Sequence, residues 1–239
     1  MNETTEPPRT FGSALFEVLF TNQTTVAVLS VALLVAISTL PNLGVIAGWV
    51  FILVALLACG RQGSFGEIGF RRPESWPRTL FLGVAIGVAI QLLFSIVVDP
   101  LLARWTGTPV DVSSLDGMRG NLVNYLIMLA IGWVLGGFLE EMLFRGYLLK
   151  RIRRVLGDSP AATLLAILLP ALAFGLAHSY QDAAGMISTG LIGAILGALF
   201  VWYRGNLWLP IMVHGFSNVV GITLIYTSGD RVLNTLLFG

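Results

Sequence analysis

Long apolar stretches alternate with short polar segments over most of the chain. A helix that spans a bilayer needs about 20 predominantly apolar residues. Seven stretches approach or reach this length, and they comprise residues 24–40, 42–59, 79–98, 121–146, 160–178, 184–203 and 207–227. A shorter stretch at 11–20, with Leu15, Phe16, Leu19 and Phe20, predicts a short interfacial helix. The pattern therefore predicts an all-α bundle of about seven transmembrane spans.

The polar connections between these stretches are few. We expect loops at 60–78, 99–120 and 150–159, and a turn at Pro41-Asn42 between the first two spans. No internal repeat or low-complexity stretch interrupts the pattern. We therefore interpret residues 1–239 as one membrane domain.

Composition supports this class. The chain is 56% hydrophobic, only 11% charged, and has a mean hydropathy of +0.84. A soluble domain has about 25% charged residues, so a soluble fold is not expected. The formal net charge is +1, and no basic patch suggests nucleic-acid binding. The expected partners are membrane lipid and a membrane-associated substrate.

The placement of Lys and Arg predicts the orientation in the membrane. Ten basic residues fall on one side of the predicted spans and three on the other. The ten are Arg9, four arginines in 60–78, four residues in 150–154 and Arg204; the three are Arg104, Arg119 and Arg231. Cytoplasmic loops carry the excess of positive charge in membrane proteins. We expect the basic loops to be cytoplasmic and, from an arginine-rich and lysine-poor composition, the membrane to be the bacterial inner membrane.

Two adjacent glutamates, Glu140 and Glu141, lie inside an apolar stretch, where carboxylates are costly. They point about 100° apart on an α-helix, so they cannot have the same role. Glu141 precedes Arg145 by four residues, the favourable order for a helical ion pair. Glu140 has no such cation, and desolvation would make it a stronger base. The alternative is that both glutamates are structural.

Small residues share a helical stripe with Glu140. Gly132 and Gly136 precede it at intervals of four residues, and Gly193 and Gly197 form a similar face on the sixth span. Small residues at this spacing let another helix approach closely. We expect a neighbouring helix beside Glu140, although packing alone also explains these glycines.

The two histidines of the chain, His178 and His214, also lie in or at the ends of apolar stretches. His214 and Asn218 are four residues apart, so both face one way and could bind a developing oxyanion. Ser217 is a poor nucleophile candidate because no histidine follows it. The His-Glu-x-x-His zinc motif is absent, which excludes that type of zinc site.

Three short motifs occur in order on three apolar stretches: Glu-Glu-x-x-x-Arg at 140–145, Phe-x-x-x-His at 174–178 and His-x-x-x-Asn at 214–218. Together they resemble the family of CAAX prenyl endopeptidases and bacteriocin-processing enzymes, the CPBP or Abi family. A Gly-Glu-Ile-Gly-Phe-Arg-Arg-Pro run at 66–73 is similar to a stretch of bacterial members. The resemblance covers about 66–225.

The resemblance implies an intramembrane endopeptidase. By it, Glu140 would activate water with help from His178, and His214 with Asn218 would form the oxyanion hole. Glu141 and Arg145 would shape the site. No cofactor is required for this chemistry, although Glu140, His178 and His214 could together hold zinc.

The substrate would be a peptide or a lipid-modified protein. Two other functions stay open at this point. One is a non-catalytic scaffold or immunity-type protein on the same fold, and the other is a proton-coupled transporter that uses the buried acids and histidines. No inverted repeat supports the transporter.

The depth of the site residues poses a difficulty. Glu140 lies about ten residues before the basic cluster at 150–154, hence about 15 Å deep. His178 lies at the far end of its span. Either the span at 160–178 begins later, or residues 178–184 fold back at membrane depth, and Pro170 could kink the span.

Overall fold

The structure, a computed structural model, describes residues 11–228. These residues form eight principal helices. They are α1 (Phe11–Thr21), α2 (Gln23–Thr39), α3 (Pro41–Gln62), α4 (Trp76–Thr106), α5 (Leu122–Leu156), α6 (Pro160–Ala177), α7 (Asp182–Trp202) and α8 (Trp208–Tyr226). The described residues contain no strand, so the all-α prediction is confirmed. The expectations for Arg9 and Arg231 lie outside the described residues.

Several helices begin where a side chain satisfies a free backbone amide. The side chains of Asn22, Ser75, Asn121 and Ser159 each accept a hydrogen bond from the amide three residues later. Proline follows within the first two positions of α4 and α6, where its missing amide costs nothing. These local signals mark the starts of the helices in the sequence itself.

Six helices are long and apolar enough to cross a membrane, and α1 with α2 makes a seventh if that bent pair counts as one span. The two helices of the pair meet at 70°. The prediction of about seven spans is thus confirmed. The predicted interfacial helix exists as α1, but Leu19 and Phe20 at its end are 5% and 1% exposed and pack against protein.

Two of the predicted loops are largely helical. The segment 99–120 begins with Asp99–Thr106, which continues α4 after a π-helical turn at Phe94–Val98. The basic segment begins with Lys150–Leu156, the last part of α5. The charges in both segments suggested loops, but their side chains find partners within the bundle. Residues 107–121 contain one short 3-10 segment, Ser113–Met118.

Successive spans α3 to α8 run in opposite directions, which gives the bundle two ends. We call the half that contains the connections 63–75, 157–159 and 203–207 the basic half. We call the half that contains residues 107–121 and 178–181 and the α2–α3 turn the cavity half. The nine basic residues assigned to one side within the described range lie at the end of the basic half.

Hydrogen bonds to backbone carbonyls close the basic half. Arg151 is 0% exposed, pairs with Glu67 at 2.8 Å and donates to the carbonyl of Phe20. Lys150 donates to the carbonyls of Gly66 and Glu67. The connection 63–75 is thereby tied to α5 and to the end of α1.

Candidate active site

The helix that carries the two glutamates is not a regular α-helix. Within α5, Gly132–Glu140 and Met142–Leu149 are π-helical, which means that backbone hydrogen bonds skip one residue more than in an α-helix. Such stretches are rare and are found frequently at functional sites. The widened backbone sits where Glu140 and Glu141 enter the centre of the bundle.

Glu141 is the centre of a buried polar cluster. Its Oε1 atom accepts a hydrogen bond from Arg145 at 2.7 Å and another from His214 Nδ1 at 2.8 Å. Glu141 is 0% exposed and Arg145 is 2% exposed. Arg145 also donates to the carbonyl of Gly193 on α7 at 2.8 Å. The predicted ion pair between Glu141 and Arg145 is confirmed, and it joins α5, α7 and α8.

Glu140 faces elsewhere. The Nε2 atom of His214 lies 3.9 Å from Glu140 Oε2. This distance is too long for a hydrogen bond. The side chain of Glu140 is 12% exposed and lines a cavity. The two adjacent acids thus differ as helix geometry predicted, since one is neutralised by an ion pair and the other is left accessible.

His214 and Asn218 face α5 along the glycine stripe. A β-carbon at Gly136 would lie 2.5 Å from Asn218 Nδ2 and 3.5 Å from His214 Nε2. Asn218 Nδ2 donates to the carbonyl of Gly132 at 2.9 Å. The close helix approach expected beside Glu140 is confirmed, and the glycines make room for the imidazole and the amide.

The glycine face on α7 packs in the same way. A β-carbon at Gly193 would lie 3.3 Å from the Cα atom of Ala171, and one at Gly197 would lie 3.1 Å from the side chain of Ile167. Both contacts are with α6. The close approach expected on the sixth predicted span is therefore confirmed between α7 and α6.

His178 follows the last residue of α6, and its Nδ1 atom lies 2.8 Å from the carbonyl oxygen of Phe174. A carbonyl only accepts, so Nδ1 carries the proton and Nε2 of the neutral ring holds a lone pair. The Phe174 ring contacts both imidazoles edge to face, with centroids 4.7 Å from His178 and 6.0 Å from His214. Phe174 therefore packs against both histidines.

The structure resolves the difficulty with depth. Helix α6 begins at Pro160, so the idea that its span begins later is wrong, and Pro170 does not interrupt it. Helix α5 continues to Leu156, which makes the turn to α6 lie beyond the basic cluster. Glu140 and His178 line the same cavity, so they lie at similar levels.

Two cavities share His178 and Phe174 as lining residues. The first, which we call the apolar cavity, has a volume of about 350 Å³. Its lining comprises Asn42, Val45, Ile46, Trp49, Glu140, Phe144, Phe174, Ala177, His178 and Tyr180. Glu140 and His178 are therefore exposed to one space with mostly apolar walls.

The second, which we call the polar cavity, has a volume of about 310 Å³. His178, His214 and Asn218 line it. Its other polar lining residues are Gln91, Ser95, Asp99, Gln181, Ser188, Thr189 and Ser217. The four predicted site residues thus divide between two cavities that share His178: Glu140 lines the apolar cavity, and His214 and Asn218 line the polar cavity.

The zinc alternative receives no geometric support. Among the described residues, no group of three or more His, Cys, Asp or Glu side chains is placed to hold one metal ion. His214 and His178 use Nδ1 for Glu141 and for a backbone carbonyl, which leaves Nε2 of each ring to face a ligand.

Several residues of the site were missed in the sequence. Gln91 accepts a hydrogen bond from Ser217, which commits that hydroxyl to a structural contact. Asp99 was assigned to a loop but lines the polar cavity and accepts a hydrogen bond from Ser188 at 2.5 Å. The available signal was the same for both residues, since each is a polar residue within or at the end of an apolar run.

The fold and this site define an integral membrane protein with acids, imidazoles and an amide gathered inside a helical bundle. Residues 122–220 match the family model described as type II CAAX prenyl endopeptidase Rce1-like. This range contains the three motifs at 140–145, 174–178 and 214–218, whereas the run at 66–73 lies outside it. The match supports, over these residues, the resemblance to the CPBP family of CAAX-type proteases that the three motifs indicated. No curated protein and no solved structure matches the chain.

Proposed function

We propose that the protein is an intramembrane endopeptidase in which Glu140 activates a water molecule for attack on a peptide bond. His178 assists Glu140, and His214 with Asn218 stabilises the oxyanion that forms. General base catalysis of this kind contributes about 10²–10⁴-fold to a rate.

The observation that carries this proposal is the unequal treatment of the two adjacent acids. Glu141 accepts hydrogen bonds from Arg145 and His214, so its charge is compensated and its position fixed. Within residues 11–228, no cation is hydrogen-bonded to Glu140, yet this side chain faces a cavity. A purely structural pair would be expected to bury both charges in ion pairs.

The hydrogen bonds of the histidines support their assigned roles. Because Nδ1 of His178 donates to Phe174, its Nε2 can accept a proton or hold a water beside Glu140. Because Nδ1 of His214 is bound to Glu141, its Nε2 donates only when the ring is doubly protonated. In that form His214 would give the oxyanion both a hydrogen bond and a positive charge.

Asn218 supplies the second donor. One hydrogen of its amide nitrogen is committed to the carbonyl of Gly132, which fixes the side chain. The other hydrogen is free to point towards the space beside Gly136, where His214 Nε2 also lies. Two fixed donors at one point match the requirement for oxyanion stabilisation, which depends on donors that need no reorganisation.

The apolar cavity favours a substrate with an apolar group, either lipid-modified or an apolar peptide segment, beside the scissile bond. Its walls include Trp49, Phe144 and Tyr180. The orientation with the basic half towards the cytoplasm, in a bacterial inner membrane, belongs to the same proposal. Both cavities lie in the cavity half, so a substrate would approach from the face opposite the basic loops.

Mass-spectrometric mapping of peptide products from membranes that contain the wild type or the Glu140→Gln variant tests this function. We expect products that the variant does not form, at unchanged protein abundance and thermal stability. Glu74→Gln is the matched control, because Glu74 is exposed and lies on the basic half. Wild-type turnover in Glu140→Gln contradicts the mechanism, and a phenotype that survives Glu140→Gln and His178→Gln together favours the scaffold function.

A further inference from the structure

The polar cavity contains a carboxylate that the proposed mechanism does not use. Asp99 lies near the far end of α4, at the start of its final α-helical segment, and is partly buried. Its Oδ1 atom accepts a hydrogen bond from the neutral hydroxyl of Ser188, at 2.5 Å. No salt bridge joins Asp99 to any cation within residues 11–228. Acids within membrane-spanning helices normally pair with a cation or line a pathway, and Asp99 lines a cavity.

The cavity gives this charge a position relative to the candidate catalytic groups. Asp99 and Ser188 share the lining with His178, His214 and Asn218. Ser188 precedes Gly193, whose carbonyl binds Arg145, by five residues, hence about 7 Å along α7. Extended peptide advances about 3.3 Å per residue, so Asp99 lies within a few residues of the scissile bond of a bound peptide.

The charge of the cavity lining determines which sign of charge a ligand should carry. The polar cavity is lined by one carboxylate and, among the described residues, by neither Lys nor Arg. A free carboxylate of a peptide would be repelled by Asp99, whereas a lysine or arginine side chain would restore the balance of charge. The polar lining also provides amide and hydroxyl groups for peptide backbone, in contrast to the apolar cavity.

We propose that Asp99 makes the polar cavity a subsite for a cationic side chain of the substrate peptide, close to the bond that is cleaved. This inference rests on the proposed function and adds the substrate class. The peptide carries an apolar group for the apolar cavity and a lysine or arginine for the polar cavity. A short tail that ends in a free carboxylate does not suit the polar cavity.

A binding experiment tests this without relying on turnover. The Glu140→Gln variant in nanodiscs is titrated with fluorescent ten-residue peptides that have two central leucines flanked on both sides by Lys, Gln or Glu. We expect the Lys peptide to bind about tenfold more tightly than the Gln peptide, a difference of about 1.4 kcal/mol, and the Glu peptide to bind most weakly. Adding Asp99→Asn should reduce the difference between Lys and Gln to about twofold or less.

Three variants separate charge recognition from structure. Asp99→Asn keeps an oxygen that can accept the Ser188 hydroxyl, so its thermal stability should be close to that of the parent. Ser188→Ala removes that hydrogen bond but keeps the charge, and should keep the preference for Lys. Asp158→Asn removes an exposed charge in the basic half and should change neither the thermal stability nor the preference for Lys.

The proposal is overturned if the parent binds the Lys and Gln peptides equally, if the preference survives Asp99→Asn, or if the Lys peptide fails to bind at about 1 mM. Loss of the preference in Ser188→Ala, with a matching loss of stability, would instead make Asp99 a helix-packing residue. Failure of the protease function is read separately, because it appears as cleavage that does not depend on Glu140.

Discussion

The two halves of the bundle use buried charge in opposite ways. In the basic half, Arg151 pairs with Glu67 and with the carbonyl of Phe20, and Lys150 binds carbonyls of the connection before α4. In the cavity half, Glu140 and Asp99 have no cation within hydrogen-bonding distance in the described residues and face open space. Charge in the basic half stabilises packing, whereas charge in the cavity half is available to a ligand.

Between the two halves lies the cluster of Glu141, Arg145 and His214. It resembles the basic half because its charges are compensated, and it borders the cavity half because His214 lines the polar cavity. The comparison suggests that stability and activity are separable by mutation, except at this cluster, where one change should affect both.

The largest combined effect is expected for Arg145→Met. Removal of one partner from a buried ion pair leaves an uncompensated charge and typically costs about 3–5 kcal/mol. Thermal unfolding in detergent should show this loss, and cleavage should also fall because Glu141 no longer has its fixed position. Arg153→Met is the control, since Arg153 is 38% exposed and its partner Asp158 is 90% exposed. If Arg145→Met retained both stability and activity, the conclusion that this cluster supports both would be contradicted.

Asn218→Ala should affect activity far more than stability. Loss of one oxyanion donor costs about 10²–10³-fold in kcat, because the donor acts on charge that develops in the transition state. Steady-state kinetics on a peptide identified by the mass-spectrometric mapping would give kcat and KM separately. Asn124→Ala, which removes the same side chain near the start of α5, should leave kcat unchanged. An increase confined to KM would assign Asn218 to binding.

Gly146→Ala, in the basic half, should affect stability far more than activity. A β-carbon there would lie 2.6 Å from both the side chain and the carbonyl oxygen of Ile68, so the connection must shift. Overpacking of this kind costs about 1–3 kcal/mol. Unfolding should therefore occur at a lower temperature, while kcat of the folded protein is unchanged. Gly117→Ala has no atom within 4 Å of the new carbon and serves as the control.

The smallest expected effect concerns pH and Glu67. Burial raises the pKa of this carboxyl, but the hydrogen bond from Arg151 and the charges of Arg151, Arg154 and Lys150 outweigh burial and lower its pKa below the ordinary value of 4.5. The pair therefore stabilises the fold above about pH 4.5, and this contribution disappears as the pH falls through the lower pKa of the folded state.

Glu67→Gln should accordingly lower Tm at pH 7 and have little effect at pH 3. The carboxylate is 35% exposed, so solvent screening limits the contribution to about 1 kcal/mol, or about 2–4 °C in a domain of this size. Glu74→Gln should show no such difference, because Glu74 and Arg204 are both largely exposed. A Tm difference that persists at pH 3 would mean that the role of Glu67 does not depend on its charge.

Local sequence geometry was enough to predict the helical class, the number of spans and the ion pair between Glu141 and Arg145. Each depends on neighbouring residues: the length of an apolar run, the four-residue spacing on a helix, or a serine before a proline. The same reasoning assigned 99–120 and 150–159 to loops, because charged residues after an apolar run usually end a span. It could not predict that Arg151 pairs with Glu67, because the two residues are 84 positions apart in the sequence.

The sequence by itself determined which side chains could do chemistry, because acids and imidazoles in apolar stretches are few and costly. Only the tertiary structure decided how they are paired. His214 contacts Glu141, 73 residues away in the chain, the glycines of α5 make room for Asn218, and Phe174 packs against both histidines. Contacts between distant segments depend on how whole helices pack, and no local spacing encodes that.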